Sequence, residues 1–340
     1  MRRAARATVR RWQNRALVLL YHRVADVACD PQLLCVSPRH FSEHLQVLAA
    51  EAIPLSLREL VVAQRNRALP RHAVVVTFDD GYADNLHNAL PLLETSTTSA
   101  TVFVATGSLG VERGYWWDQV EELLLLPGQL EDPLSVMIGE ERYEWRLGAL
   151  ATLDTENFRS GQRWNVLEKS DPSPRHSAYR SLCQALRPLR PAAREGALSQ
   201  LRAQWKGNPT NPKPPRALSE NELRRLAAAG MVEIGAHSVT HSALANLSLQ
   251  EQRREIEESK QTLEGACRQA VTCFAYPYGS EADYSNETVQ LVRQAGFACA
   301  CTTRPAAVRH GGDPLTLPRM IVRDWSGGEF RRRLRKWFLE

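Results

Sequence analysis

Asp79 and Asp80 stand side by side at the end of the apolar run A-V-V-V-T-F, and Gly81 follows them. Two neighbouring carboxylates repel, so a metal that one of them ligates while the other stays available as a base would account for the pair. A helix N-cap with an exposed second aspartate would account for it too, and a lone D-D-G favours that plainer reading. His237 and His241, in H-S-V-T-H, shift the balance. They also follow an apolar run, and their i to i+4 spacing puts both imidazoles on one side if the segment turns helically. Two histidines and one carboxylate leave metal positions open for water and substrate, as catalytic sites require, and zinc is the natural first occupant.

Such groups need strand ends to stand on. The runs at residues 16–21, 73–78 and 100–105 are continuous and apolar, the pattern of strands covered on both faces, and helical stretches separate them. Pro38 opens a first helix, and Ser56 with Glu59 and Ser248 with Glu251 form capping boxes for two others. Further strands are predicted at 231–236, 271–276, 297–302 and 317–322, with a final basic helix from near Ser326. Strands alternating with helices predict parallel pairing in a barrel or a wound sheet. Residues 111–216 break this rhythm with a hairpin near 135–146, helices over 177–205 and a proline-rich stretch at 208–215. They read as a mainly helical insertion, in which Trp116 and Trp117 either stack on sugar rings or hold the insertion together as buried aromatics.

T-F-D-D-G at residues 77–81, H-S-V-T-H at 237–241 and F-A-Y-P-Y-G ending at Gly279 together resemble the NodB-like polysaccharide deacetylases, carbohydrate esterase family four. The resemblance covers roughly residues 16–110 and 217–325. It implies an α/β fold, a distorted (β/α) barrel of fewer than eight parallel strands. A basic segment at 1–15 would precede the barrel at 16–340, which the 111–216 insertion interrupts. The resemblance also implies that Asp79 is the catalytic base, that Asp80, His237 and His241 bind the metal, and that the Tyr278 backbone N–H faces the oxyanion. The activity implied is metal-dependent removal of an acetyl group from an N-acetylated sugar, in exopolysaccharide or cell-surface glycan biosynthesis.

Two features depart from the family pattern. The late histidine that serves as catalytic acid is missing, because His310 in R-H-G-G-D is the only histidine after His241. Tyr21-His22 after the first strand resembles the Y-H motif of the poly-N-acetylglucosamine deacetylases and makes His22 the candidate acid. The arginine that holds the base aspartate is also absent from the third motif, where Cys273 and Phe274 stand, and Arg319 in L-P-R-M is the candidate replacement. Asp324 and Trp325 are assigned to orienting His22 and lining the sugar pocket, with an ordinary surface pair as the alternative.

Composition narrows the rest. Against 38 acidic residues stand 43 basic ones, and the excess gathers at the termini, in Arg2, Arg3, Arg6, Arg10, Arg11 and Arg15 and again in Arg331, Arg332, Arg333, Arg335 and Lys336. Basic termini allow peripheral attachment to an anionic membrane, with solvated surface as the plainer reading. No aromatic-interleaved basic module is present, which argues against nucleic acid as partner. The absence of a signal-peptide core or a spanning stretch predicts a cytoplasmic location, with the inner membrane face as the alternative. Seven cysteines without a C-x-x-C predict buried thiols, and zinc at Cys299 and Cys301 is set aside on the expectation that the two divide between opposite strand faces. An O-acetyl esterase and a non-catalytic carbohydrate-binding barrel are the rival functions, and no oligomeric state is readable.

Overall fold

The computed structural model describes residues 15–206 and 214–339, so the basic residues Arg2 to Arg11 and most of the proline-rich stretch lie outside the described residues. The chain divides into two compact units. The first holds the described residues before 26, those at 35–107 and those from 220 onward; the second holds 26–34 and the described residues of 108–219.

The first unit is built on β1 (Ala16–Tyr21), β2 (Ala73–Phe78), β3 (Ala100–Val104), β4 (Val232–Ala236), β5 (Cys273–Ala275), β6 (Cys299–Cys301) and β7 (Met320–Ile321), in the spatial order β6-β5-β4-β3-β2-β1-β7. Every pairing on this path is parallel. β1, β2 and β3 are buried along their whole length, as continuous apolar strands between helical layers must be. The sheet curls until its edges meet. Residues 317–322 bond to β6 through Leu317 N to Ala300 O at 2.8 Å, and to β1 through Val322 N to Leu20 O at 2.9 Å. This is a distorted barrel of fewer than eight parallel strands.

Around it lie α1 (Pro38–Glu51), α2 (Leu57–Arg65), α3 (Leu90–Ser96), α4 (Glu220–Ala228), α5 (Leu249–Cys267), α6 (Asn286–Gln294) and α7 (Gly327–Leu339). Reciprocal capping boxes open α2 at Ser56 and Glu59 and α5 at Ser248 and Glu251. β5, β6 and β7 are shorter than the apolar runs that contain them, because their flanks turn into loops at the strand ends. Cys299 and Cys301 correct the face assignment. Residues two apart on a strand share a face, and both thiols join Cys273 in one apolar cluster, with Cys299 Sγ 3.3 Å from Cys273 Sγ. Burial raises the Cys301 thiol to about 12, as expected of inert core cysteines.

The second unit contains the helices Trp116–Leu125, Thr155–Gly161, Pro174–Leu186 and Pro191–Gln204 and the antiparallel hairpin Leu134–Ile138 with Glu141–Trp145. Trp116 and Trp117 are buried, packed edge to face at 5.3 Å, with Tyr115 stacked on Trp117 at 4.7 Å. They are core aromatics of this unit.

Candidate metal and acid–base site

Parallel pairing brings the carboxyl ends of β1, β2, β4 and β5 to one end of the sheet, and His22, Asp79, Asp80, His237 and Tyr278 each follow one of them. Asp79 follows β2, and its N–H donates to Tyr21 O at 3.0 Å, which sets it beside the start of the His22 turn. Asp80 next to it has φ +72° and Gly81 +74°. A Cβ on Gly81 would stand 3.0 Å from a Val104 methyl, so the left-handed turn and the close approach both call for glycine.

His237 follows β4, its N–H donating to Val104 O. The segment to His241 is not helical, contrary to the simplest reading of its spacing. Left-handed Ser238 (φ +62°) and His241 (φ +52°) fold it back, and the two imidazoles meet at a centroid separation of 4.8 Å. Glu255 on α5 holds this loop: one carboxylate oxygen accepts from the Val239 and Thr240 N–H groups, each at 2.8 Å, and the other accepts from Thr240 Oγ1.

The donor atoms converge. His241 Nε2 lies 3.2 Å and His237 Nε2 3.6 Å from the same Asp80 oxygen, and all three side chains are buried. His237 Nδ1 sits 2.8 Å from Ala275 O, which as an acceptor requires the proton on Nδ1 and leaves Nε2 turned toward Asp80 as the nitrogen available to a metal. Burial pushes Asp80 up, but the two histidines outweigh it and hold the carboxyl far below its usual range. Three buried side chains whose ligand atoms all lie within 4.8 Å of one another fit a divalent metal.

Asp79 is held differently. Arg319, fully buried in the segment that closes the sheet, grips it with both arms, NH1 to Oδ1 at 2.6 Å and NH2 to Oδ2 at 2.7 Å, and donates its Nε–H to Thr302 O. This is the fork geometry that only arginine offers. Burial raises the Asp79 carboxyl, yet Arg319 and then His237 overrule it, and the group stays below the ordinary carboxylate value.

His22 comes off β1, and Asn85 Nδ2 donates to its carbonyl at 2.9 Å. Asp84 accepts from Arg23 Nε and Val24 N, which fixes the strand that follows. Burial lowers His22 below the ordinary histidine value; Asp80 and Asp79 pull it up, and Arg323 and Arg319 push it down again. Tyr278, left-handed at φ +60°, turns its ring edge-on to His241 at 4.7 Å.

Asp324 and Trp325 go elsewhere. An Asp324 carboxylate oxygen accepts from Ser37 N and Oγ at 2.9 Å and lies 2.7 Å from His40 Nδ1, which ties it to the start of α1 instead of to His22. The Trp325 ring lies under Arg333 of α7 at 4.1 Å, and its carbonyl pairs with the buried His44. Asp84, Asn85 and Glu255 are the positioning residues that sequence reasoning missed. Charged and amide side chains on helical stretches look like solvated surface.

The family described as polysaccharide deacetylase matches the chain at residues 66–125 and 202–300. YxkH of Bacillus subtilis, named as a polysaccharide deacetylase, is 29% identical over 105 residues, 31% of this chain and 36% of that protein, so the chain spans little more than a third of that curated relative. Among solved structures, the Streptococcus pyogenes deacetylase PplD in complex with acetate superposes with a TM-score of 0.58 at 18% identity, covering 95% of this chain and 99% of that one. IcaB from Ammonifex degensii superposes at 0.56 with 17% identity, covering 96% and 98%. Identities this low bear on the fold alone.

Proposed function

The chain belongs to the polysaccharide deacetylases, and we propose that it removes the acetyl group of an N-acetylated glycan at a divalent metal, zinc first among them, held by Asp80, His237 and His241. The observation that carries this reading is the convergence of both imidazole Nε2 atoms on one Asp80 oxygen, beside a second carboxylate that has its own cation. With Arg319 occupying it, Asp79 is kept ionised and is not drawn into the ligand set.

When bound, the metal would supply Lewis acidity toward the acetyl carbonyl and lower the pKa of a water. Asp79 takes the proton of the attacking water, and the Tyr278 N–H supports the oxyanion of the tetrahedral intermediate. Amide cleavage then needs a proton on the departing nitrogen, and His22 delivers it, so the products are acetate and a free amino sugar. A cytoplasmic enzyme of exopolysaccharide or cell-surface glycan biosynthesis is the setting this activity fits.

One observation favours a second substrate class. Burial keeps His22 below the ordinary histidine value, so its protonated form is scarce near neutral pH, and an O-acetyl ester needs that acid less than an amide does. The experiment is acetate release from N-acetylglucosamine oligomers, lipid-linked N-acetyl sugars and O-acetylated oligomers, with metal added and with chelator. Release from an N-acetyl substrate that chelator abolishes supports the amide reading; release from esters alone establishes the second; no release with metal bound points to a carbohydrate-binding barrel.

A further inference from the structure

The end of the sheet opposite the site carries an uncompensated charge. Arg65 closes α2, Arg67 and Arg71 lie on the loop leading into β2, and Arg309 is fastened beside them by its carbonyl, which accepts from Gln64 Nε2 at 2.9 Å. All four are exposed and form no ion pair among the described residues. α7 ends on the same face, where Phe338 stacks on His72 at 4.6 Å. Of the acids near these arginines, Glu51 is already engaged by Arg335 at 2.6 Å and Arg331 at 3.0 Å, and Asp313, on the Arg309 loop, by Arg293 at 2.9 Å.

Aliphatic side chains are set among these charges. Ile53, whose N–H donates to His72 O, is 46% exposed, and Leu339 beyond Phe338 is 85% exposed. Cationic side chains around protruding aliphatic ones suit a surface that is anionic outside and apolar beneath. Nucleic acid would use the charges and leave Ile53 and Leu339 without a role.

We infer that this face docks on an anionic lipid bilayer, with the arginines at headgroup phosphates and Ile53 and Leu339 in the interface. Because the strands are parallel, docking turns the ends that carry Asp79, Asp80 and His237 toward water. On the function proposed above, the docked chain would act on a glycan extending from or released beyond the surface, not on a headgroup sugar of the same bilayer.

The test is co-sedimentation of the full chain with phosphatidylcholine vesicles, with and without phosphatidylglycerol, at low and high salt. The expected result is binding that requires phosphatidylglycerol and weakens with salt. At roughly fivefold per arginine, R65Q/R67Q/R71Q should lose about 100-fold in partitioning. That variant should release acetate from a soluble oligomer as the wild type does, so failure of docking and failure of the activity are separable. Arg309→Gln, on a different loop, and I53S/L339S supply independent variants, and amide exchange should slow on docking at 62–72 and 335–339 but not at 80–82. Binding indifferent to phosphatidylglycerol, or an R65Q/R67Q/R71Q variant that binds like the wild type, overturns the proposal. So does equally tight binding to heparin or RNA at the same salt, which would mark a general polyanion surface.

Discussion

Replacing Arg319 with methionine removes the cation from a carboxylate that has nowhere else to go. Asp79 is 3% exposed and loses two charge-assisted hydrogen bonds, at 2.6 and 2.7 Å, while His237 Nε2 at 3.9 Å remains as partial relief. Breaking one side of such a buried pair costs about 3–5 kcal/mol. The pH dependence has a definite sign. In the wild type the Asp79 carboxyl is depressed, so its contribution is present above the unfolded value near 3.9 and is lost only as pH falls through the lower folded value. In Arg319→Met burial prevails, the folded carboxyl is raised, and the deficit should shrink as pH falls from 7 toward about 5. The readout is the urea dependence of amide exchange in β1 and β2 with chelator present, for Arg319→Met, Asp79→Asn and the double variant. A loss under about 1 kcal/mol, a deficit that grows toward low pH, or a double variant equal to the sum of the singles would refute the clamp.

Asp80→Asn and His241→Ala should each abolish the rise in thermal midpoint that added zinc gives the wild type, measured by calorimetry at matched metal concentration. Glu255→Ala should leave far-ultraviolet dichroism unchanged while weakening metal affinity by about 10–100-fold in a competitive chelator titration. His22→Ala should slow N-acetyl hydrolysis by about 10²–10⁴-fold and O-acetyl hydrolysis much less; in the wild type the limb on which activity falls with rising pH should lie below the ordinary histidine value. His44, buried against Phe330 and lowered to about 4, stays neutral when folded and protonates when unfolded, so its stability contribution is present above about 6.5 and lost as pH falls toward 4. The loss should be about 3 kcal/mol, and His44→Gln should flatten that slope in urea titrations.

The site was legible where residue type and chain position speak together. D-D-G after a β-branched run and H-x-x-x-H after another specify groups at parallel strand ends, and a lone arginine among the apolar neighbours of L-P-R-M stands out as a buried cation. Geometry that depends on backbone handedness was not legible. The helical expectation for 237–241 fails because Ser238 and His241 take left-handed conformations that their side chains do not announce. Glu255 stands 14 residues beyond His241 on an outwardly charged helix, and pattern alone cannot show that its carboxylate caps a loop from another part of the chain. Asp324 lies next to the tryptophan expected in the pocket, but Ser37 and His40, far off in sequence, claim it. The strands at β5 and β6 were placed correctly and drawn too long, since apolar character continues into the loops that follow.

Arg319 sits in the short segment whose hydrogen bonds join the two edges of the sheet. One side chain therefore belongs both to the seam and to the acid–base group 240 positions earlier in the chain. During synthesis, a chain that has not yet reached residue 319 carries the aspartates and histidines in its sequence but no cation for Asp79. Such a chain has both an open seam and an unneutralised buried carboxylate, so the site acquires its final charge state only when the barrel itself is closed.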